Sequence, residues 1–203
     1  MEGSPSLQLQ RFTELQWGPM RVITGQAKGA KLKAPRSAGL RPTSSRVKGA
    51  LFSILGYDLI EGAVVLDLYA GTGALGIEAL SRNAERVDFV ERNARRCQAI
   101  RQNLAAAGLS ERGRVYSAPA FRTLGDLTGA YDLVFVDPPY GDPGVDQVLA
   151  ALGRDGLLRG GATIVLEHAW RDAAPAGRDG LQHTDTRRYG DTALSFYKRG
   201  PIS

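Results

Sequence analysis

Leu66-Asp67-Leu68-Tyr69-Ala70-Gly71-Thr72-Gly73-Ala74-Leu75-Gly76 is the stretch on which the fold turns. The apolar run Val64-Val65-Leu66 leads into it, and the helical pattern Ala74–Ser81 follows. Strand, glycine-rich turn and helix in that order open a βαβ unit, with Gly71, Gly73 and Gly76 in G-x-G-x-x-G spacing. Glycines there let the backbone approach a ligand closely. Glu91 stands 20 residues beyond Gly71, at the end of the next apolar run Val87–Val90, where an acid can accept both hydroxyls of a ribose. The pattern points to an adenosine-type cofactor. Asp67 narrows the choice, because a carboxylate just before the glycines repels pyrophosphate and suits a cationic ligand such as S-adenosylmethionine. Its structural alternative is a carboxylate that caps neighbouring loop amides.

The pattern repeats outward from this unit. Asn93–Ala107 reads as a long helix closed by Gly108, Arg114–Tyr116 as a third strand and Leu133–Val136 as a fourth. A helix over Asp146–Leu152 and a fifth strand over Ala162–Leu166 follow. Thr184–Tyr189 and Thr192–Tyr197 alternate apolar and polar residues around Gly190-Asp191, a hairpin signal. Alternating β and α units predict an α/β fold with a mostly parallel sheet, helices on both faces and an antiparallel C-terminal hairpin. Upstream, Arg21–Gly25 and Ala30–Lys33 suggest a short hairpin. Thr43 or Ser44 would cap a helix whose apolar stripe is Val47, Leu51, Ile54 and Leu55. Residues 1–19 are polar and non-periodic and are expected to be a disordered extension. Three parts result: the extension 1–19, a basic hairpin and helix over 20–58, and a main domain over 59–203.

A length of 203 residues suits one domain with a small appendage, and 43% hydrophobic with 23% charged residues is a globular composition. No apolar run nears the roughly 20 residues that span a bilayer, and the N-terminus lacks a secretory pattern, so no membrane partner is expected. The lone Cys97 rules out an internal disulfide and suits a reducing, cytoplasmic setting. His168 and His183 stand apart from any cysteine or acidic cluster at ligand spacing, so no metal site is expected. The charge of +5 is unevenly spread. Between Glu14 and Asp58 there is no acid, yet Arg21, Lys28, Lys31, Lys33, Arg36, Arg41, Arg46 and Lys48 all fall there. Such a block is a solvated face or a surface for a polyanion, and the interleaved apolar residues favour an ordered surface.

A second stretch carries chemistry. Val134-Phe135-Val136 runs into Asp137-Pro138-Pro139-Tyr140. The prolines end a buried strand and stiffen the loop beyond it. One carboxylate, one carbonyl and one aromatic face remain, the parts needed to hold a planar base by its exocyclic amine. Asp-Pro-Pro is also a good strand terminator without further duty.

Asp67–Gly73 with Asp137–Tyr140 resembles the amino-methyltransferases of nucleic acid. The closer resemblance is to the bacterial 16S rRNA (guanine-N2)-methyltransferase family, RsmD type. It rests on Met20–Gly25, Leu40–Val47, Gly73–Arg82, Phe89-Val90-Glu91 and Arg188–Thr192, in order over roughly 20–198. The resemblance implies a Rossmann-like class I methyltransferase with seven strands in the order 3-2-1-4-5-7-6. It implies methyl transfer from S-adenosylmethionine, leaving S-adenosylhomocysteine, to the N2 amine of a guanine in small-subunit rRNA, free or in a 30S assembly intermediate. The working unit is expected to be a monomer.

By the same resemblance Asp137, Pro138, Pro139 and Tyr140 are the catalytic loop. Asp67, Tyr69, Ala70, Gly71, Thr72, Gly73, Glu91, Arg92, Ser117 and Ala118 would hold the cofactor, with Thr43 and Arg46 closing over it. The Ser117-Ala118-Pro119-Ala120 run lacks the acid or amide that such enzymes often turn toward the adenine. Arg21, Lys28, Lys31, Lys33, Arg36 and Arg41 would grip RNA phosphates without reading sequence. The alternatives are a DNA adenine-N6 methyltransferase, for which the chain leaves little room for a recognition domain, and a non-catalytic rRNA-binding module, which leaves Asp137–Tyr140 unexplained. A protein-glutamine methyltransferase usually starts the loop with Asn, and a dinucleotide oxidoreductase is disfavoured by Asp67.

Overall fold

A computed structural model of the protein describes residues 20–34, 45–154, 156–177 and 179–201. The elements are α1 (Ser45–Leu55), β1 (Val64–Leu68), α2 (Ala74–Ser81), β2 (Arg86–Val90), α3 (Ala94–Ala107), β3 (Gly113–Tyr116), α4 (Ala120–Leu124), β4 (Tyr131–Val136), α5 (Val145–Arg154), β5 (Leu158–Ala169), β6 (Leu181–Tyr189) and β7 (Thr192–Arg199). One sheet of seven strands runs in the order β3-β2-β1-β4-β5-β7-β6. The pairings from β3 through β5 are parallel, and β7 is antiparallel to both β5 and β6. This is the expected class I topology. Among the described residues no helix is long and apolar enough to cross a membrane.

The central strands are apolar because both faces are covered. Val65, Val87, Phe89, Leu133 and Phe135 pack under α1, α2 and α3. The alternate residues Val64, Leu66, Leu68, Val134 and Val136 pack under α4 and α5. Gly76 is required by this packing: a Cβ there would lie 2.3 Å from the Phe89 ring, so the helix meets β2 only with a glycine in place. At α3 the Asn93 side chain accepts from the amides of Arg95 and Arg96, and Gly108 closes the helix at φ 69°.

Four expectations change. The N-terminal hairpin contracts to a single antiparallel bridge, Arg21 with Lys31. The two arms still pair, Val22 donating to the Ala30 carbonyl and Leu32 to that of Met20, and further backbone donors go to side chains of the helices beneath: Ile23 and Thr24 to Glu78, Ala27 to the Ser81 hydroxyl, and Lys33 to Asn103. In α1, Ile54 is 42% exposed, while Phe52 and Lys48 take places on the buried face. Lys48 therefore leaves the basic surface. Its ammonium meets Glu78 at 3.2 Å and donates to the Arg21 carbonyl at 2.8 Å. Finally, α4 is an addition, five residues long and with no repeating apolar stripe to announce it.

Candidate active site

The parallel strands bring their carboxyl ends to one edge, and the order reverses at β1, between β2 and β4. That switch point is where open α/β sheets leave a crevice. The turn after β1 enters it through Tyr69, held at φ 60°, a conformation unusual for a bulky residue. Gly71 and Gly73 follow in the same left-handed region, at φ 57° and 76°. The Ala70 amide donates to the Val90 carbonyl and the Gly73 amide to Ala70, so the turn closes over the end of β2.

Three carboxylates gather here. Glu91 is buried, and its two oxygens accept from the Gly71 amide at 3.0 Å and the Asn93 amide at 2.7 Å. Arg96 approaches the same carboxylate at 3.9 Å. Asp67 is 2% exposed and accepts from the Gly76 amide at 3.0 Å. Burial pushes its carboxyl well above the usual carboxylate range. The Gly76 amide opposes the shift, and the charges of Asp137 and Glu91 add to it. Asp67 thus caps an amide in the first turn of α2 rather than one of the loop, and its burial disfavours the ionised form. A cation beside it would favour ionisation.

Asp137 continues β4, and its amide donates to the Leu68 carbonyl at 3.4 Å. The catalytic-loop candidate and the glycine turn are therefore neighbours across the β1–β4 ladder. Tyr69 itself points toward the stretch beyond that loop, where a Cβ built on Gly144 would lie 4.0 Å from its hydroxyl. Its hydroxyl is pushed up to about 12, by burial first and then by the Asp142 charge, against the opposing charge of Arg92. Pro138 is buried, Pro139 is exposed, and Tyr140 bonds the Thr192 hydroxyl at 3.1 Å while remaining 38% exposed. A cavity of about 240 Å³ opens beside this loop, lined by Pro138, Tyr140, Asp142, Glu167, His168 and Pro175. Its walls are the loop on one side and the end of β5 with its following turn on the other.

The remaining candidates are spread around this centre. Ser117 and Ala118 follow β3, directly past Tyr116, whose carbonyl accepts from the Glu91 amide at 3.1 Å. Arg92 is exposed beside Glu91, and Thr72 is buried with its hydroxyl 3.4 Å from the Met20 sulfur. Arg46 is exposed on the first turn of α1. Thr43, Arg36 and Arg41 lie outside the described residues. Arg21, Lys28, Lys31 and Lys33 are all exposed on the segment laid across α2 and α3, the Arg21 guanidinium donating to the Gly29 carbonyl. No group of three or more potential metal-binding side chains occurs among the described residues. His168 faces the cavity from β5 and bonds the buried Ser195 hydroxyl at 2.8 Å, while His183 is exposed on β6.

The supporting residues escaped sequence reasoning. Glu78 is fully buried and binds Lys48, Arg82 and two amides of the N-terminal segment. Asn103, also fully buried, accepts from the Lys33 amide and donates to the carbonyls of Lys33 and Thr72. A signal was present for both ions: Glu78 interrupts an otherwise apolar helix, and Lys48 lies three and four residues before Leu51 and Phe52.

A family profile described as "Conserved hypothetical protein 95" matches residues 20–198. Ribosomal RNA small subunit methyltransferase D of Escherichia coli (strain K12) is 34% identical over 182 residues, covering 90% of this chain and 91% of that one. The chain belongs to the RsmD family. Among solved structures, that of the Escherichia coli protein yhhF matches at a TM-score of 0.82 and 32% identity, over 91% of this chain and all of that one. The structure of SMU.776, complexed with S-adenosylhomocysteine, shares the fold alone, at a TM-score of 0.61 and 16% identity. Within the RsmD family the match begins at Met20 and takes in the glycine turn, Glu91, the Asp137 loop and the terminal hairpin.

Proposed function

We propose that this member of the RsmD family transfers the methyl group of S-adenosylmethionine to the exocyclic N2 amine of a guanine in small-subunit rRNA. The observation that carries the reading is the ladder contact between Asp137 and Leu68, which sets the Asp137–Tyr140 loop against the glycine turn and beside an open cavity, an arrangement suited to holding an amine. The sequences of its relatives supply the nucleic acid, and the exposed cations of residues 21–33 suit its phosphates.

The residues present fit the methyl donor. Glu91 offers a fixed carboxylate for a ribose diol, Asp67 an anion for a cationic ligand, and Ser117 with its backbone an edge for an adenine. When bound, S-adenosylmethionine supplies an electrophilic methyl group on a positively charged sulfur. The protein's task is to present the nucleophile. The guanine amine is poorly nucleophilic because its lone pair is delocalised into the ring. Hydrogen bonds from its two N–H groups to the Asp137 carboxylate and the Pro138 carbonyl draw the nitrogen toward a pyramidal form and free that pair. The buried Pro138 and the partly buried Asp137 keep these acceptors out of bulk water, where they act most strongly. Tyr140, fixed at its hydroxyl by Thr192, stacks on the base. Fixed geometry alone contributes about 7–11 kcal/mol to such a step. The methylated nitrogen then sheds a proton, which Asp137 accepts or passes to water.

Nucleoside mass spectrometry of rRNA from cells lacking the protein tests the reading: N2-methylguanosine is expected to fall, and an unchanged level overturns it. Calorimetry separates the cofactor question, with S-adenosylhomocysteine binding and NAD not binding.

A further inference from the structure

The terminal hairpin carries Arg188-Tyr189-Gly190-Asp191-Thr192, of which the chemistry above uses Thr192 alone. Because β7 runs antiparallel to β5, the hairpin turn lies at the carboxyl edge of the sheet, with Thr192 opposite Ala169. Two aromatic residues are fastened to consecutive residues of that turn. The Tyr140 hydroxyl bonds the Thr192 hydroxyl at 3.1 Å, and the Trp170 amide donates to the Asp191 carbonyl at 2.8 Å. Trp170 is 44% exposed, a large indole left to solvent. The Arg188 guanidinium lies 4.9 Å from the centroid of its ring and is itself held, its Nε donating to the Gly190 carbonyl at 2.9 Å. Trp170 follows the cavity residues His168 and Ala169 directly and precedes Asp172, another cavity residue. It therefore stands at the rim of the cavity without lining it.

We propose that Trp170, braced by Arg188, is a stacking platform for an unpaired RNA base flanking the methylated guanine. The proposal rests on the function argued above. An exposed indole held in place presents a flat face at little cost in side-chain freedom, and a guanidinium over an aromatic ring is itself a surface on which a base can lie. A guanine that enters the cavity must leave its own stack, and so must the chain on either side of it. A platform at the rim takes up the neighbouring base and tolerates any base identity, since every base has a π face. The partner is thus single-stranded RNA at the target, distinct from the phosphate grip of residues 21–33.

Trp17→Phe leaves Trp170 as the sole tryptophan of the chain, so its emission reports the site directly. A single-stranded RNA hexamer is expected to quench that emission, and an abasic ribose-phosphate hexamer of equal charge to leave it unchanged. In rRNA methylation assays Trp170→Ala is expected to raise KM for RNA roughly tenfold or more, with the loss falling on KM rather than kcat and with S-adenosylhomocysteine affinity retained. Trp170→Phe restores most of the loss. Emission unmoved by hexamer that anisotropy shows to be bound, or a wild-type KM in Trp170→Ala, overturns the proposal. Failure of the wild-type protein to methylate rRNA overturns the functional reading instead, and the quenching still decides the stacking. Should Trp170→Ala lose S-adenosylhomocysteine binding through misfolding, the titration of the folded Trp17→Phe protein decides between stacking and its absence.

Discussion

The Asp67 carboxyl lies under the glycine turn with the charges of Asp137 and Glu91 near it, so ionising it costs the ligand-free protein stability. Its pKa in the folded state is raised above the unfolded value near 3.8. The protonated form therefore contributes stability that is full below that value and is lost as pH rises through the folded one. Asp67→Asn keeps an acceptor for the Gly76 amide and removes the charge. Calorimetric scans are expected to give this variant a higher Tm than wild type at pH 7, with the difference shrinking toward pH 4, while S-adenosylhomocysteine no longer raises its Tm. Asp137→Ala is expected to behave differently: cofactor affinity stays and methyl transfer drops by about 10²-fold or more, read by single-turnover kinetics. Both carboxylates were legible in the sequence, because spacing from a glycine turn or a proline pair locates them. The conformation of Tyr69 was not, since a left-handed tyrosine has no mark in composition. Nor was the Thr192 bond to Tyr140, which joins residues 52 apart in sequence.

The helices α1 and α2 meet the N-terminal segment through one buried charge cluster. Burial lowers the Lys48 pKa, and Glu78 opposes that shift by charge and hydrogen bond. Removing one partner of such a pair leaves the other uncompensated, at about 3–5 kcal/mol. Glu78→Ala is expected to lose stability of that order in urea unfolding and to speed amide exchange over residues 21–33 before the sheet itself exchanges. The elements around the cluster were readable to different depths. The helix over residues 74–81 and the end of the next at Ala107 match the periodicity, because Gly73 and Gly108 punctuate them. The segment before α1 looked like a hairpin because it alternates. It does pair with itself, but its seat on the helices beneath depends on side chains more than 50 residues away. Periodicity carries no information about them.

At the scale of the molecule, charge and topology divide the work. The mostly parallel sheet and its antiparallel hairpin follow from alternating units visible in the sequence, whereas the strand order came with the family resemblance. The placement of the cations needed the structure, which leaves Arg21, Lys28, Lys31 and Lys33 outside and takes Lys48 inside. RNA affinity is expected to fall with salt, and the double variant Lys28→Gln/Lys31→Gln to flatten the slope of log K against log[salt] by roughly 0.7 for each phosphate it no longer neutralises, with cofactor affinity unchanged. Binding at several potassium chloride concentrations measures it. The Asn103 amide grips Lys33 with both its ends and Thr72 with one of them, so a single side chain fastens the N-terminal segment and the glycine turn together. A chain cut to begin at Ser45 would keep every strand and lose the backbone that Glu78, Ser81 and Asn103 were built to hold. The N-terminal segment is in that sense also a keystone, and a shortened chain forfeits the contacts that steady its glycine turn along with four exposed cations.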